Sequence, residues 1–219
     1  MPWMKMMMWG ITIQTLFKKC HPERSEGSRG SSNGILPPLR VVRMTTTNKT
    51  KTILGVDPGY ARAGWSILNK YGPLKIRQNV GSRGAQNLEL IEYGCIETPK
   101  SMEHAERLKY LNSELDKIIQ KHKPEILAVE DLFFFKNLKT AIKVAEARGV
   151  ILMTAFNNKL KIYEYTPLQI KQALVGYGRA EKKQISSMVK IILGLKEIPQ
   201  PDDAADAVAV AITCAHNLK

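Results

Sequence analysis

Short apolar runs that end in an acidic residue are the clearest pattern along the chain. Residues 52–57 form one such run, and the turn residues Pro58 and Gly59 follow it directly. Residues 126–130 form a second run, which ends at Glu130. Three further strands are predicted at residues 64–68, 88–96 and 161–165. The first three strands favour an antiparallel meander, with a long loop over about residues 71–87.

Helical periodicity replaces the strand pattern in the second half of the chain. Apolar residues recur at three- and four-residue steps between residues 102 and 121, as on one face of an amphipathic helix. Four more helices are predicted at residues 138–157, 167–174, 181–193 and 203–216. Strands first, then alternating strands and helices, predict an α/β fold. We therefore expect a mixed sheet flanked by helices, in a single domain over residues 51–219.

The first fifty residues differ in kind from the rest of the chain. They combine a Met-rich start with a Ser-, Gly- and Arg-rich run, and they show no strand or helix period. The apolar stretch at residues 9–17 is shorter than a membrane span, so no membrane anchor is predicted. We interpret residues 1–50 as a disordered extension, or as upstream sequence translated from a start site set too early, with Met44 as the natural start.

The net charge and the cysteine content of the chain limit which binding partners and which cellular compartment are expected. The net charge is +13 and the pI about 9.7, which indicates an anionic partner but does not choose between nucleic acid and an anionic membrane surface. The three cysteines, Cys20, Cys95 and Cys214, are far apart and lack metal-ligand spacing. Neither a disulfide framework nor a zinc site is predicted, and a cytoplasmic location fits best.

Four acids are candidates for one metal-binding pocket. Asp57 and Glu130 end two strands, whereas Asp203 and Asp206 lie three residues apart and so share one helix face. Hard carboxylate ligands suit Mg²⁺, or Mn²⁺ in its place. Two such ions would activate a water and stabilise the leaving oxygen in the in-line cleavage of a phosphodiester. An acidic cluster inside a basic protein therefore predicts a nuclease.

Each acid also has a structural interpretation when it is taken alone. Asp57 could cap backbone amides in its turn, and Glu130 could be a solvated loop carboxylate. Asp202 or Asp203 could be the N-cap or a first-turn acid of the last helix. Capping does not explain Asp206, which faces into an Ala/Val-rich helix where a buried acid needs a partner.

Five short motifs follow one another over about residues 52–216. They are Gly55-Val-Asp57-Pro-Gly59, Ala128-Val-Glu130, Ala145-Glu-Ala-Arg148-Gly149, Ala180-Glu-Lys182-Lys-Gln184 and Asp203-Ala-Ala-Asp206-Ala207. Together they resemble the RuvC family of Holliday junction resolvases, and five ordered motifs are far more specific than any one of them.

The resemblance implies an RNase H-like fold and a homodimer that nicks a four-way DNA junction symmetrically, in recombination and repair. It implies catalytic and metal-binding roles for the four acids, with two Mg²⁺ ions per site, and a branch-migration complex as partner. It also implies that Lys171 and Lys182 contact DNA, that Phe133 stacks near the junction crossover, and that the helix at residues 138–157 forms the dimer.

Other functions remain open from the sequence. An RNase H-like nuclease acting on RNA or on an RNA–DNA hybrid would carry similar acids. A junction-binding protein without nuclease activity would share the basic surface but would not nick DNA when Mg²⁺ is added. A sugar-kinase or actin-like ATPase also begins with a strand, an acid and a glycine turn, but this chain is short for two such lobes.

Overall fold

The structure is a computed structural model that describes residues 50–72, 87–131 and 138–218. Within these ranges five strands and five helices follow the predicted order. The strands are β1 (Lys51–Asp57), β2 (Arg62–Lys70), β3 (Leu88–Glu97), β4 (Ile126–Glu130) and β5 (Lys161–Tyr165). The helices are α1 (His104–His122), α2 (Leu138–Asn157), α3 (Pro167–Val175), α4 (Lys182–Leu193) and α5 (Asp202–Asn217).

The five strands form one mixed sheet in the order β3-β2-β1-β4-β5. The first three strands pair antiparallel, as the meander predicted, and β4 and β5 add on in parallel to β1. Parallel neighbours need a crossover connection; the one from β1 to β4 runs through β2, β3 and α1, and the one from β4 to β5 runs through α2. The predicted α/β fold with a mixed sheet is confirmed.

Helices cover both faces of the sheet. Successive strand side chains point to opposite faces and pack into two separate hydrophobic cores. Leu54 and Val56 point to the face covered by α1 and α2, where the predicted stripe of α1 is buried through Leu111 and Leu115. Ile53 points to the opposite face, which is covered by α3, α4 and α5. Burying each such side chain stabilises the fold by about 1.5–3 kcal/mol.

Helix α5 is the most deeply buried helix of the described residues. Ala204, Ala205 and all residues from 207 to 215 are buried. Its run of alanines allows the helix backbone to lie close to β1 and β2, which larger side chains would prevent. None of the helices in the described ranges has the length and apolar character that a membrane crossing requires.

Candidate active site

Asp57 and Glu130 end neighbouring strands at the same edge of the sheet. β1 and β4 are parallel and paired through Val56 and Val129, so the two acids that follow lie side by side. Their side chains fall on the α5 face, because strand residues alternate and Gly55 also points to that face. A hydrogen bond joins the two carboxyl groups.

Small residues bring helix α5 against this end of the sheet. A Cβ on Gly55 would lie 2.4 Å from the carbonyl oxygen of Ala207, so no larger residue fits there. The Ser66 hydroxyl donates a hydrogen bond of 3.0 Å to the same carbonyl oxygen. That carbonyl belongs to a buried turn of the helix, and the bond fixes the position of α5 along the strands.

The first turn of α5 packs against Gly64, the residue of β2 that pairs with Asp57 of β1. Gly64 is the register partner of Asp57 across β1 and β2, and a Cβ on Gly64 would lie 1.9 Å from the carbonyl oxygen of Asp203. Asp206, three residues later, lies on the same face of the helix as Asp203. The structure therefore brings the four predicted acids to one end of the sheet.

Two basic side chains pair with the acids of α5. The Arg62 guanidinium lies 3.0 Å from Asp203 Oδ2, and Lys182 Nζ lies 3.0 Å from Asp206 Oδ2. Lys182 also lies 3.4 Å from Asp202. Asp202 and Asp203 occupy the first turn of the helix, but Pro201 holds the N-cap position and no side chain caps the helix. The interpretation of Asp202 or Asp203 as the N-cap residue is wrong.

Burial and the charges of neighbouring acids disfavour ionisation of Asp57, Glu130 and Asp206. Burial, followed by the charges of Glu130, Asp206 and Asp203, raises the pKa of Asp57 to about 8. Burial and the charge of Asp206 also raise the pKa of Glu130, although Lys171 and Lys182 oppose this shift. Burial raises the pKa of Asp206 despite its bond to Lys182. The Asp57–Glu130 pair therefore favours retention of one proton between its two carboxyl groups at neutral pH.

A cavity of about 210 Å³ opens beside two of the acids. It is lined on its polar side by Glu130, Asp206, Lys171 and Lys182. The rest of its wall comes from the start of α3 and from α4 and α5. Two carboxylates and two ammonium groups thus line one opening, an arrangement that suits a phosphate group carried next to a bound cation.

Comparison with known proteins identifies the family. The family model described as crossover junction endodeoxyribonuclease RuvC matches residues 53–214. The chain belongs to this family. The crossover junction endodeoxyribonuclease RuvC of Caldicellulosiruptor saccharolyticus is 50% identical over 160 residues, covering 73% of this chain and 89% of that relative. The one from Alkaliphilus oremlandii is 48% identical over 164 residues, covering 75% of this chain and 92% of that relative.

Solved structures agree with the RuvC family assignment. Thermus thermophilus RuvC in complex with a Holliday junction substrate aligns with a TM-score of 0.65 at 34% identity, covering 74% of this chain and 92% of that one. The yeast mitochondrial Holliday junction resolvase aligns with a TM-score of 0.53 at 11% identity, which supports the fold alone. The RNase H-like resolvase fold predicted from the motifs is confirmed.

The donor chemistry of this RuvC-family site fits a hard divalent cation. Asp57, Glu130, Asp203 and Asp206 supply oxygen ligands only, and burial together with the neighbouring acidic charges raises the pKa of Asp57. Within the described ranges, however, no three His, Cys, Asp or Glu side chains are arranged to hold a metal ion. Binding a cation there requires the carboxylates to exchange their present hydrogen-bond and ion-pair partners.

The sequence analysis missed three residues of the site, and one residue that it named, Phe133, is not described by the structure. Arg62, Gly64 and Ser66 contact α5, but they lie on β2 outside all five RuvC-like motifs. The only sequence signal was a glycine inside a strand, which indicates close backbone approach. Phe133 lies outside the described residues, so its predicted role stays a prediction.

Proposed function

We propose that this chain is a crossover junction endodeoxyribonuclease that resolves four-way DNA junctions by metal-dependent nicking. Asp57, Glu130, Asp203 and Asp206 are the proposed catalytic and metal-binding residues. The observation that carries the proposal is the convergence of these carboxylates next to a cavity lined with lysines, where burial and then the neighbouring acidic charges raise the pKa of Asp57 to about 8. Divalent cations relieve such repulsion.

We propose Mg²⁺ as the cation, with two ions per site and Mn²⁺ as a substitute. When bound, these ions supply Lewis acidity toward the phosphodiester and its attacking water. The protein's own contribution begins with Asp57, which must lose its proton, together with its hydrogen bond to Glu130, to become a ligand. Lys182 must likewise share or release Asp206, 3.0 Å away.

Lys171 and Lys182 are the proposed DNA-contacting residues. Both line the cavity beside Glu130 and Asp206, and the Lys182 side chain is half exposed. Burial lowers the pKa of Lys182, but its bond to Asp206 and the charges of Asp206 and Asp202 outweigh burial and raise it. The lysine therefore stays charged when a backbone phosphate approaches. Stacking of Phe133 on junction bases remains part of the proposal.

We further propose that α2 forms a homodimer. Ile142, Met153 and Phe156 leave 56%, 54% and 75% of their surface exposed on this helix, although large apolar side chains are normally buried. Gly149 lies between them, and a Cβ there would meet nothing within 4 Å. A second helix could approach closely at this glycine, and two sites related by a twofold axis would nick two strands of the junction.

The compartment and the further partners follow from the family assignment as proposals. A cytoplasmic location and a branch-migration complex as partner fit an enzyme of junction DNA, and so does the basic charge of the chain. Residues 51–219 are proposed as the resolvase domain.

The deciding experiment compares a synthetic four-way junction with linear duplex DNA and an RNA–DNA hybrid, each with Mg²⁺ and with EDTA. We expect paired nicks in the junction only when Mg²⁺ is present, and at least a hundredfold loss of nicking in Asp57→Asn with junction affinity retained. Preferential cleavage of the hybrid would favour an RNase H-like substrate. Junction binding without any nicking would show a binding protein.

A further inference from the structure

We propose that Arg62 is a positioning residue that holds the Asp203 carboxylate and competes with divalent cations for it. The inference rests on the proposed role of Asp203 as a metal ligand. Arg62 Nη2 lies 3.0 Å from Asp203 Oδ2, which is the distance of a charge-assisted hydrogen bond. A cation that takes this oxygen must displace the guanidinium or share the oxygen with it.

The guanidinium is anchored from its other side by strand β3. Arg62 Nε lies 3.5 Å from Glu97 Oε1, and the Cys95 side chain on the same strand interacts with the Arg62 guanidinium. A guanidinium is planar and presents its donors in a fixed fork, so these partners set the direction in which it meets Asp203. The arginine thus bridges the end of the β2–β3 pair to the first turn of α5.

This bridge holds Asp203 on the β2–β3 side of the acid cluster. The cavity beside the cluster is lined by Glu130 and Asp206, together with the two lysines, but not by Asp203. Among the three charges that raise the pKa of Asp57, that of Asp203 is the smallest. Both observations fit a carboxylate drawn toward Arg62 and away from the other acids.

Two physical effects of Arg62 act in the same direction on a bound cation. The ion pair must be broken or shared before Asp203 can serve as a ligand, and the remaining positive charge repels the ion. Part of this effect is screened, because 44% of the Arg62 side chain and 32% of the Asp203 side chain are exposed. We therefore expect removal of the charge to tighten cation binding by about three- to tenfold.

The test is a titration of Mn²⁺ into the full-length protein without DNA, with the free ion measured by electron paramagnetic resonance. Arg62→Met keeps the aliphatic stem and removes the charge, so it should bind Mn²⁺ about three- to tenfold more tightly than the wild type. Arg62→Lys should bind with nearly wild-type affinity. Arg179→Met removes an exposed arginine between α3 and α4 and serves as the matched control, with little change expected.

A double-mutant cycle with Asp203→Asn separates competition from a general change in charge or folding. If Arg62 acts through Asp203, Arg62→Met should give a clearly smaller gain in the Asp203→Asn background than in the wild type. An equal gain in both backgrounds, or unchanged or weaker binding in Arg62→Met alone, overturns the inference. If Asp203→Asn leaves Mn²⁺ affinity unchanged, Asp203 is not a ligand, and its proposed metal-binding role is overturned together with the inference.

Discussion

Replacing Asp57 by asparagine should stabilise the metal-free protein at neutral and alkaline pH, although it should abolish nicking. The folded protein holds the proton of Asp57 up to about pH 8, whereas the ordinary pKa of an aspartate is 3.8. Between these pH values the folded state binds more protons than the unfolded state. Stability contributed by the protonated acid is therefore lost as the pH rises through this window.

The size of the effect follows from the shift of the Asp57 pKa. One pKa unit corresponds to about 1.4 kcal/mol of unfolding free energy. Glu130 and Asp206 also take up protons more readily than usual and share the cost of ionisation. We therefore expect Asp57→Asn to gain about 1.4–2.8 kcal/mol over the wild type between pH 5 and pH 8, equivalent to one or two units. For a chain of this size the gain amounts to roughly 3–10 °C in Tm.

Thermal unfolding in EDTA at pH 5, 6, 7 and 8 measures this difference directly. Asparagine keeps a donor for Glu130 but cannot ionise, so the advantage of the variant should grow with pH. Glu197→Gln, at an exposed acid between α4 and α5, should show no such growth. Adding Mg²⁺ at pH 8 should raise the Tm of the wild type more than that of Asp57→Asn. An Asp57→Asn variant that is less stable than the wild type by the same amount at every pH would refute the reasoning.

Three further predictions test how the site is built and used. Gly64→Ala should lower kcat at least tenfold, because the added Cβ would lie 1.9 Å from the Asp203 carbonyl oxygen. Ser66→Ala should cost about 1 kcal/mol of stability and have a smaller effect on kcat. Equal nicking rates in the two variants would contradict this prediction. Gly149→Leu should convert the dimer to monomer in light scattering without lowering the Tm of the monomer, and an unchanged mass would exclude close approach at this glycine. Lys182→Ala should weaken junction binding and reduce the slope of log K against log salt by about one, and an unchanged slope would remove this lysine from the phosphate contacts.

Local sequence patterns were sufficient to predict the elements and the acids. Apolar runs and helical periodicity located all five strands and all five helices of the described ranges to within a few residues. Strand alternation also explains why Asp57 and Glu130 share a face, because that face depends only on position along each strand. Asp203 and Asp206 are three residues apart, and this spacing alone predicts that they share one face of a helix.

Only the tertiary structure decided how these acids meet and what surrounds them. The approach of α5 depends on Gly64 and Ser66, whose contacts with the helix join residues about 140 positions apart. The pairing of Arg62 with Asp203 and the pKa of Asp57 arise from the same packing. Such contacts leave no period in the sequence, because burial and charge repulsion depend on distances that exist only after the chain has folded.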